Sequence, residues 1–110
     1  MTLALARNAE EKRAGNILVL DLSGLSPIAD YFVILSGRSR IHNRALADSM
    51  EDYLKREEDL LPRGREGYKE GSWVLLDYNF VVVHILTEEA REFYHLERLW
   101  SEAQVVPHSS

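Results

Sequence analysis

Residues Trp73 to Trp100, WVLLDYNFVVVHILTEEAREFYHLERLW, place two apolar runs, a turn and an aromatic-rich helical stretch in 28 consecutive positions. In an extended chain, successive side chains point to opposite faces. Trp73, Leu75 and Asp77 therefore share one face, and Val74 and Leu76 the other. Val81, Val83 and Ile85 likewise oppose Phe80, Val82, His84 and Leu86. Both faces are largely apolar. A sheet of this kind must be covered on both sides, by helices of its own chain or by another molecule.

The remaining sequence supplies candidate covers and neighbours. Leu3 to Ala14 contains good helix formers and is followed by Gly15, a natural helix stop, which gives an N-terminal helix within residues 1–14. Ile17 to Leu22 and Tyr31 to Leu35 are short runs of branched and aromatic residues closed by Ser-Gly pairs, and they read as neighbouring strands. From Ser39 the period becomes helical, with Leu46, Met50, Tyr53 and Leu54 on one side. Ser39 suits the N-cap, and the acidic run Glu57-Glu58-Asp59 opposes the helix dipole, so an early or frayed end is expected. A glycine-rich loop follows, with a short edge strand near Arg63 to Glu66. Thr87 is placed to cap the last helix. A strand, a covering helix and a return to the same sheet require a crossover, so the fold class is α/β with a mixed sheet and flanking helices.

At 110 residues the chain has the length of one domain, taken as residues 1–110, and residues 104–110 are expected to form a mobile tail. The absence of cysteine excludes disulfides, thiolate metal sites and Cys nucleophiles together, and fits a cytoplasmic protein. No run approaches the ~18 apolar residues of a membrane span. A net charge of −5 argues against a general phosphate-backbone or DNA binder and favours a basic protein as partner.

Catalytic patterns are sparse. His42, His84, His95 and His108 lack metal-ligand spacing, and neither a metal nor another cofactor is expected. Asp21, Asp30 and Asp77 do not form the Asp-x-Asp pair of a two-metal site. The basic segment Ser36-Gly37-Arg38-Ser39-Arg40, with Arg44 beyond it, could hold an anion between strand and helix, but it has neither the P-loop nor the dinucleotide fingerprint. A nucleotide-dependent transferase is the enzyme reading this segment leaves open.

A binding surface is the other reading. With a two-residue turn at Tyr78-Asn79, Asp77 would face Phe80, Leu75 would face Val82 and Trp73 would face His84. The opposite face, Val74, Leu76, Val81, Val83 and Ile85, suits the core. A fully covered Trp hides ~200 Å², worth up to ~5 kcal/mol at ~25 cal/mol per Å². The Trp73 face is therefore covered by a helix, by a partner or by a second copy in a homodimer.

Several separated segments resemble the ribosomal silencing factors of the Iojap family over about Ala14 to Val105. They are DLSGLSPIADYFVILSG at Asp21 to Gly37, ALAD at Ala45 to Asp48, Glu66-Gly67, WVLLDY at Trp73 to Tyr78, VVVH at Val81 to His84, and EAREFYHLERLW at Glu89 to Trp100. The chain departs from the family pattern at Asn79-Phe80, where many members have Gly-Asp, and at Arg40-Ile41-His42, where many have Ser-Arg-His. The resemblance implies a nucleotidyltransferase-like fold lacking the catalytic motifs, and a non-enzymatic role. It further implies docking on the large ribosomal subunit, through its protein numbered fourteen, so that the small subunit cannot join and translation is repressed. Matching positions then give Trp73, Leu75, Asp77, Tyr78, His84 and Tyr94 as partner contacts.

Overall fold

The computed structural model describes residues 2–25, 27, 29–95 and 103–106. Its elements are α1 (Thr2–Glu11), β1 (Gly15–Asp21), β2 (Tyr31–Gly37), α2 (Arg40–Glu58), β3 (Gly64–Glu66), β4 (Trp73–Asp77), β5 (Val81–Thr87), α3 (Glu88–Tyr94) and β6 (Gln104–Val105). The six strands form one mixed sheet in the order β3-β4-β5-β2-β1-β6. Among the described strands only β2 and β5 run parallel, in register from Tyr31 opposite Val81 to Gly37 opposite Thr87. These two central strands are buried along almost their whole length, which explains why their sequences are apolar without alternation.

Two layers cover the sheet. Leu5, Ala6 and Ala9 of α1 and Leu46, Ala47, Met50 and Leu54 of α2 pack on Val19, Val33, Leu35, Val74, Leu76, Val81, Val83 and Ile85. On the opposite face, Ala90 of α3 joins Leu20, Leu22, Phe32, Ile34, Val82 and Leu86. The two-sided apolar pattern of β4 and β5 is thus met by helices on both faces, but α3 is short and lies over β5 and β2.

Helix ends depart from expectation in two places. α1 stops through Arg13 in the left-handed conformation (φ 68°), with Ala14 N–H donating to Ala9 O, and Gly15 opens β1 instead of ending the helix. α2 keeps its acidic end: it runs to Glu58 and closes on left-handed Asp59, whose N–H bonds Leu54 O. Lys55 pairs with Asp59 at 3.0 Å and Arg56 with Asp52 at 2.9 Å, so nearby cations offset the unfavourable dipole term. At the other end Ser39 is the N-cap, its Oγ accepting the His42 N–H at 3.0 Å.

The β4–β5 turn falls one residue later than expected, on Asn79-Phe80 with Asn79 at φ 77°. Tyr78 N–H donates to Val81 O at 2.9 Å, and the pairs become Asp77 with Val82, Leu75 with His84 and Trp73 with Leu86. Phe80 O accepts the N–H groups of both Asp30 and Tyr31, which fixes it beside β2. Because the register moves by two residues, every side chain keeps its expected face.

The expected mobile tail needs correction over its first residues. Gln104 and Val105 form β6 against Asp21 and Leu20, and Val106 N–H donates to Val19 O at 2.8 Å. The last helix ends at Tyr94, capped by His95 in the left-handed conformation. Its expected continuation over 96–100, and the tail over 107–110, lie outside the described residues.

Candidate docking site

β4 is second from the sheet edge and carries Trp73, Leu75 and Asp77 in one half-buried row, alternating with fully buried Val74 and Leu76. From α3, Tyr94 brings its ring to 4.8 Å from that of Trp73 and stays 51% exposed. Phe93 meets Tyr94 edge-on at 5.0 Å and is 77% exposed. The result is an aromatic ridge beside an aliphatic step at Leu75, bounded by a carboxylate.

The ridge is fixed from below. Trp73 Nε1 donates to His84 Nδ1 at 3.1 Å, and the His84 ring meets Phe32 edge-on at 4.5 Å. His84 is only 4% exposed, and burial lowers its pKa to about 4, so the ring is neutral near pH 7. It supports Trp73 from within the sheet and offers little surface to a partner.

Asp77 is held by the turn. Its carboxylate accepts the Asn79 N–H at 2.8 Å and pairs with Arg63 at 3.0 Å. The backbone bond first, and then Arg63, keep its pKa below the usual carboxylate range, so it presents a fixed negative charge.

Tyr78 does not join this row. The alternation that exposes Asp77 sends Tyr78 to the α2 side, where it is 5% exposed within the core. Its hydroxyl has no hydrogen-bond partner among the described residues, and burial pushes its pKa up to about 12. The surface contact expected of Tyr78 is therefore corrected to a core position, while Trp73, Leu75, Asp77 and Tyr94 come together.

Three further residues support the row, none of them given a site role from sequence. Asn43, fully buried on α2, reaches past the end of the sheet and donates to Gly71 O at 2.7 Å, fixing the approach to Trp73. Gly67 sits at φ 76° with its α-carbon against the Trp73 carbonyl, where a Cβ would overlap that oxygen. Arg63 anchors Asp77 and also bonds Asn79 Oδ1 at 3.1 Å. A polar residue placed three and seven positions before Leu46 and Met50, on the buried face of α2, was the legible sign of Asn43.

At the basic start of α2 the backbone N–H of Arg38 is already taken, so the strand-to-helix backbone cradle is partly filled while the Arg38 and Arg40 side chains point to the groove beside α3. The His42 ring takes the Arg38 N–H on Nδ1 at 2.9 Å and contacts Lys12 O through Nε2 at 2.9 Å. Arg44 donates to Lys69 O at 3.0 Å. Asp21 and Asp77 sit on β1 and β4, separated by β2 and β5. Among the described residues no three His, Asp or Glu side chains group to hold a metal, and no helix is long and apolar enough to cross a membrane.

Comparison with known proteins decides the family. The profile described as "Ribosomal silencing factor during starvation" matches residues 1–110. The chain belongs to the ribosomal silencing factor family. It is 40% identical to a ribosomal silencing factor of Bacillus subtilis over 98 residues, covering 89% of this chain and 82% of that protein. It is also 34% identical to the chloroplastic protein Iojap of Zea mays over 101 residues, covering 92% of this chain and 43% of that one. A crystal structure of a Chromobacterium violaceum protein superposes with a TM-score of 0.84 at 33% identity, covering 91% of this chain and 83% of the other. Of the silencing-factor segments read from sequence, Trp73 to Asp77 is β4, VVVH lies in β5 and Glu89 to Tyr94 lie in α3. Asp21 to Gly37 runs from the end of β1 through β2, ALAD lies in α2, Glu66 ends β3, and positions 96–100 of the last segment lie outside the described residues.

Proposed function

We propose that this silencing-factor chain is a cytoplasmic, non-enzymatic anti-association factor. It docks on the large ribosomal subunit through the protein numbered fourteen and blocks joining of the small subunit, lowering translation. The observation that carries this reading is the Trp73–Leu75–Asp77 row with Tyr94 beside it: a half-buried aromatic and aliphatic centre with one fixed carboxylate at its margin. Such a surface combines a desolvated aromatic anchor with a charge complementary to a basic ribosomal protein. The net charge of −5 would speed the encounter.

Sucrose-gradient sedimentation tests it. The purified protein should travel with large subunits and reduce their joining to added small subunits, whereas protein remaining at the top would sink the reading. Self-association through the same apolar row is the competing use of this surface. Light scattering over a dilution series distinguishes the two, because a homodimer would lose mass on dilution and on Trp73→Ala.

A further inference from the structure

A groove of about 540 Å³ separates the start of α2 from α3 and is continuous with the docking ridge through Tyr94. Arg38 and Arg40 line one wall, and Phe93 and Tyr94 line the other. The Arg38 guanidinium makes no hydrogen bond or ion pair among the described residues. Among the described residues Arg40 pairs with Glu70 alone, at 3.5 Å, the two side chains being 64% and 56% exposed. An exposed pair of this kind contributes little and exchanges readily for a stronger anion. Arg44, one turn further along α2, donates to Lys69 O. Phe93, 77% exposed, is a large apolar ring that lines the same groove as these arginines.

Acids also reach the groove. Glu88 lines it but is gripped by Asn16 Nδ2 at 2.9 and 3.0 Å, and Glu89 stands in the first turn of α3. Their charge disfavours a continuous phosphate track along the groove. Arginine beside an open aromatic ring instead suits one unstacked nucleotide, with its phosphate on the guanidinium and its base on the ring.

We propose that this groove receives a single splayed nucleotide of large-subunit RNA, its phosphate against Arg38 and Arg40 and its base against Phe93. The inference rests on the docking reading, because a factor seated on a ribosomal protein meets RNA at the margin of that protein. Continuity with the ridge, together with the open shape of the groove, favours RNA over a free nucleotide.

The test measures affinity for purified large subunits across a salt series, in parallel with affinity for isolated protein fourteen. Arg38→Ala and Phe93→Ala are compared with the unmodified chain; both positions are exposed, and circular dichroism verifies folding. Arg38→Ala should weaken subunit binding and reduce the slope of log affinity against log salt by ~1. Phe93→Ala should weaken subunit binding about tenfold, the loss of one stacked base. Arg38→Ala, which lies outside the ridge, should leave binding to isolated protein fourteen unchanged, and Phe93→Ala, whose ring also touches Tyr94 of the ridge, should cost more affinity for the subunit than for isolated protein fourteen. Unchanged subunit affinity and salt slope would overturn the RNA contact while leaving docking intact, and equal losses against isolated protein fourteen would assign the groove to protein. Saturable calorimetric binding of free ATP, lost in both variants, would overturn the proposal in favour of a soluble nucleotide. Failure of the unmodified chain to bind subunits would instead remove the docking reading and the RNA contact with it.

Discussion

Trp73 Nε1 donates a hydrogen bond to His84 Nδ1 at 3.1 Å across the β4–β5 pair. An indole N–H can only donate, so Nδ1 must accept and the neutral imidazole carries its proton on Nε2. That tautomer links the exposed ridge to a central strand. It also makes the ridge sensitive to protonation of a residue that is nearly inaccessible.

Stability should fall with acid in a defined window. His84 has a folded pKa lowered to about 4 by burial, against about 6.5 in an unfolded chain. Between those values the unfolded state binds more protons, so stability is complete above about pH 6.5 and is lost as pH falls toward about 4. The limit is about 3 kcal/mol. Carboxylates with lowered pKa, such as Asp77, also lose their contribution in acid, but in the lower range where an unfolded carboxylate protonates, near and below about pH 4. Urea midpoints from pH 7.5 to 4.5 should show the slope, and His84→Gln should flatten it. A slope unchanged in the variant would assign the effect elsewhere.

Trp73→Ala should separate docking from folding. The side chain is half-buried and packs at the margin of the α3-side core, so its loss should cost a moderate ~1–2 kcal/mol of stability. As an interface anchor it should cost ~2 kcal/mol or more in large-subunit affinity, roughly thirtyfold. Equilibrium binding measured well below the melting temperature, beside thermal denaturation, reads both. A variant that binds normally despite reduced stability would confine Trp73 to the fold.

Tyr78→Phe should leave subunit binding unchanged and preserve or raise stability by up to ~1 kcal/mol. The change removes a buried hydroxyl that has no hydrogen-bond partner among the described residues while keeping the ring in the core. A tenfold loss of subunit affinity with unchanged folding would restore Tyr78 to the contact surface.

Gly67→Ala should damage the platform from a distance. A left-handed φ of 76° and overlap with the Trp73 carbonyl together predict a loss of ~2 kcal/mol or more. The readout is a lower denaturation midpoint with altered near-ultraviolet dichroism, since β4 must shift to admit the methyl group. A midpoint within ~0.5 kcal/mol of the original chain would contradict the close approach.

Much of the local structure was legible because its causes are local. The two-residue period of an extended chain assigned the faces of β4 and β5, and even a one-residue error in the turn preserved them, since it moved the register by two. The Ser39 and Thr87 caps followed from hydroxyls placed ahead of helical periods, and each hydroxyl accepts an N–H three residues on. Turn position was less legible. It depends on Phe80 O, which β2 holds through Asp30 and Tyr31.

The candidate site was only partly readable for the same reason. Trp73, Leu75 and Asp77 share one half-buried row with Tyr94 against Trp73, but Tyr78, the residue after Asp77, turns into the core because the α2 layer covers that side. The Asn43 bond to Gly71 O spans 28 positions, and the Arg63 pairing with Asp77 spans 14. Nothing in either local sequence names the partner.

By itself the sequence determined the strand and helix types, the two-sided apolar sheet and the silencing-factor family, because periodicity, capping and motif order are properties of neighbouring residues. Only the tertiary structure decided which part of the second face stays open. α3 is short and packs over β5 and β2, leaving Trp73, Leu75 and Asp77 half-covered at β4. Packing likewise chose the His84 tautomer, the burial of Tyr78 and the pairing of β6 with β1. These outcomes depend on which distant groups can satisfy a buried face or a polar atom, a competition settled only when the layers close together.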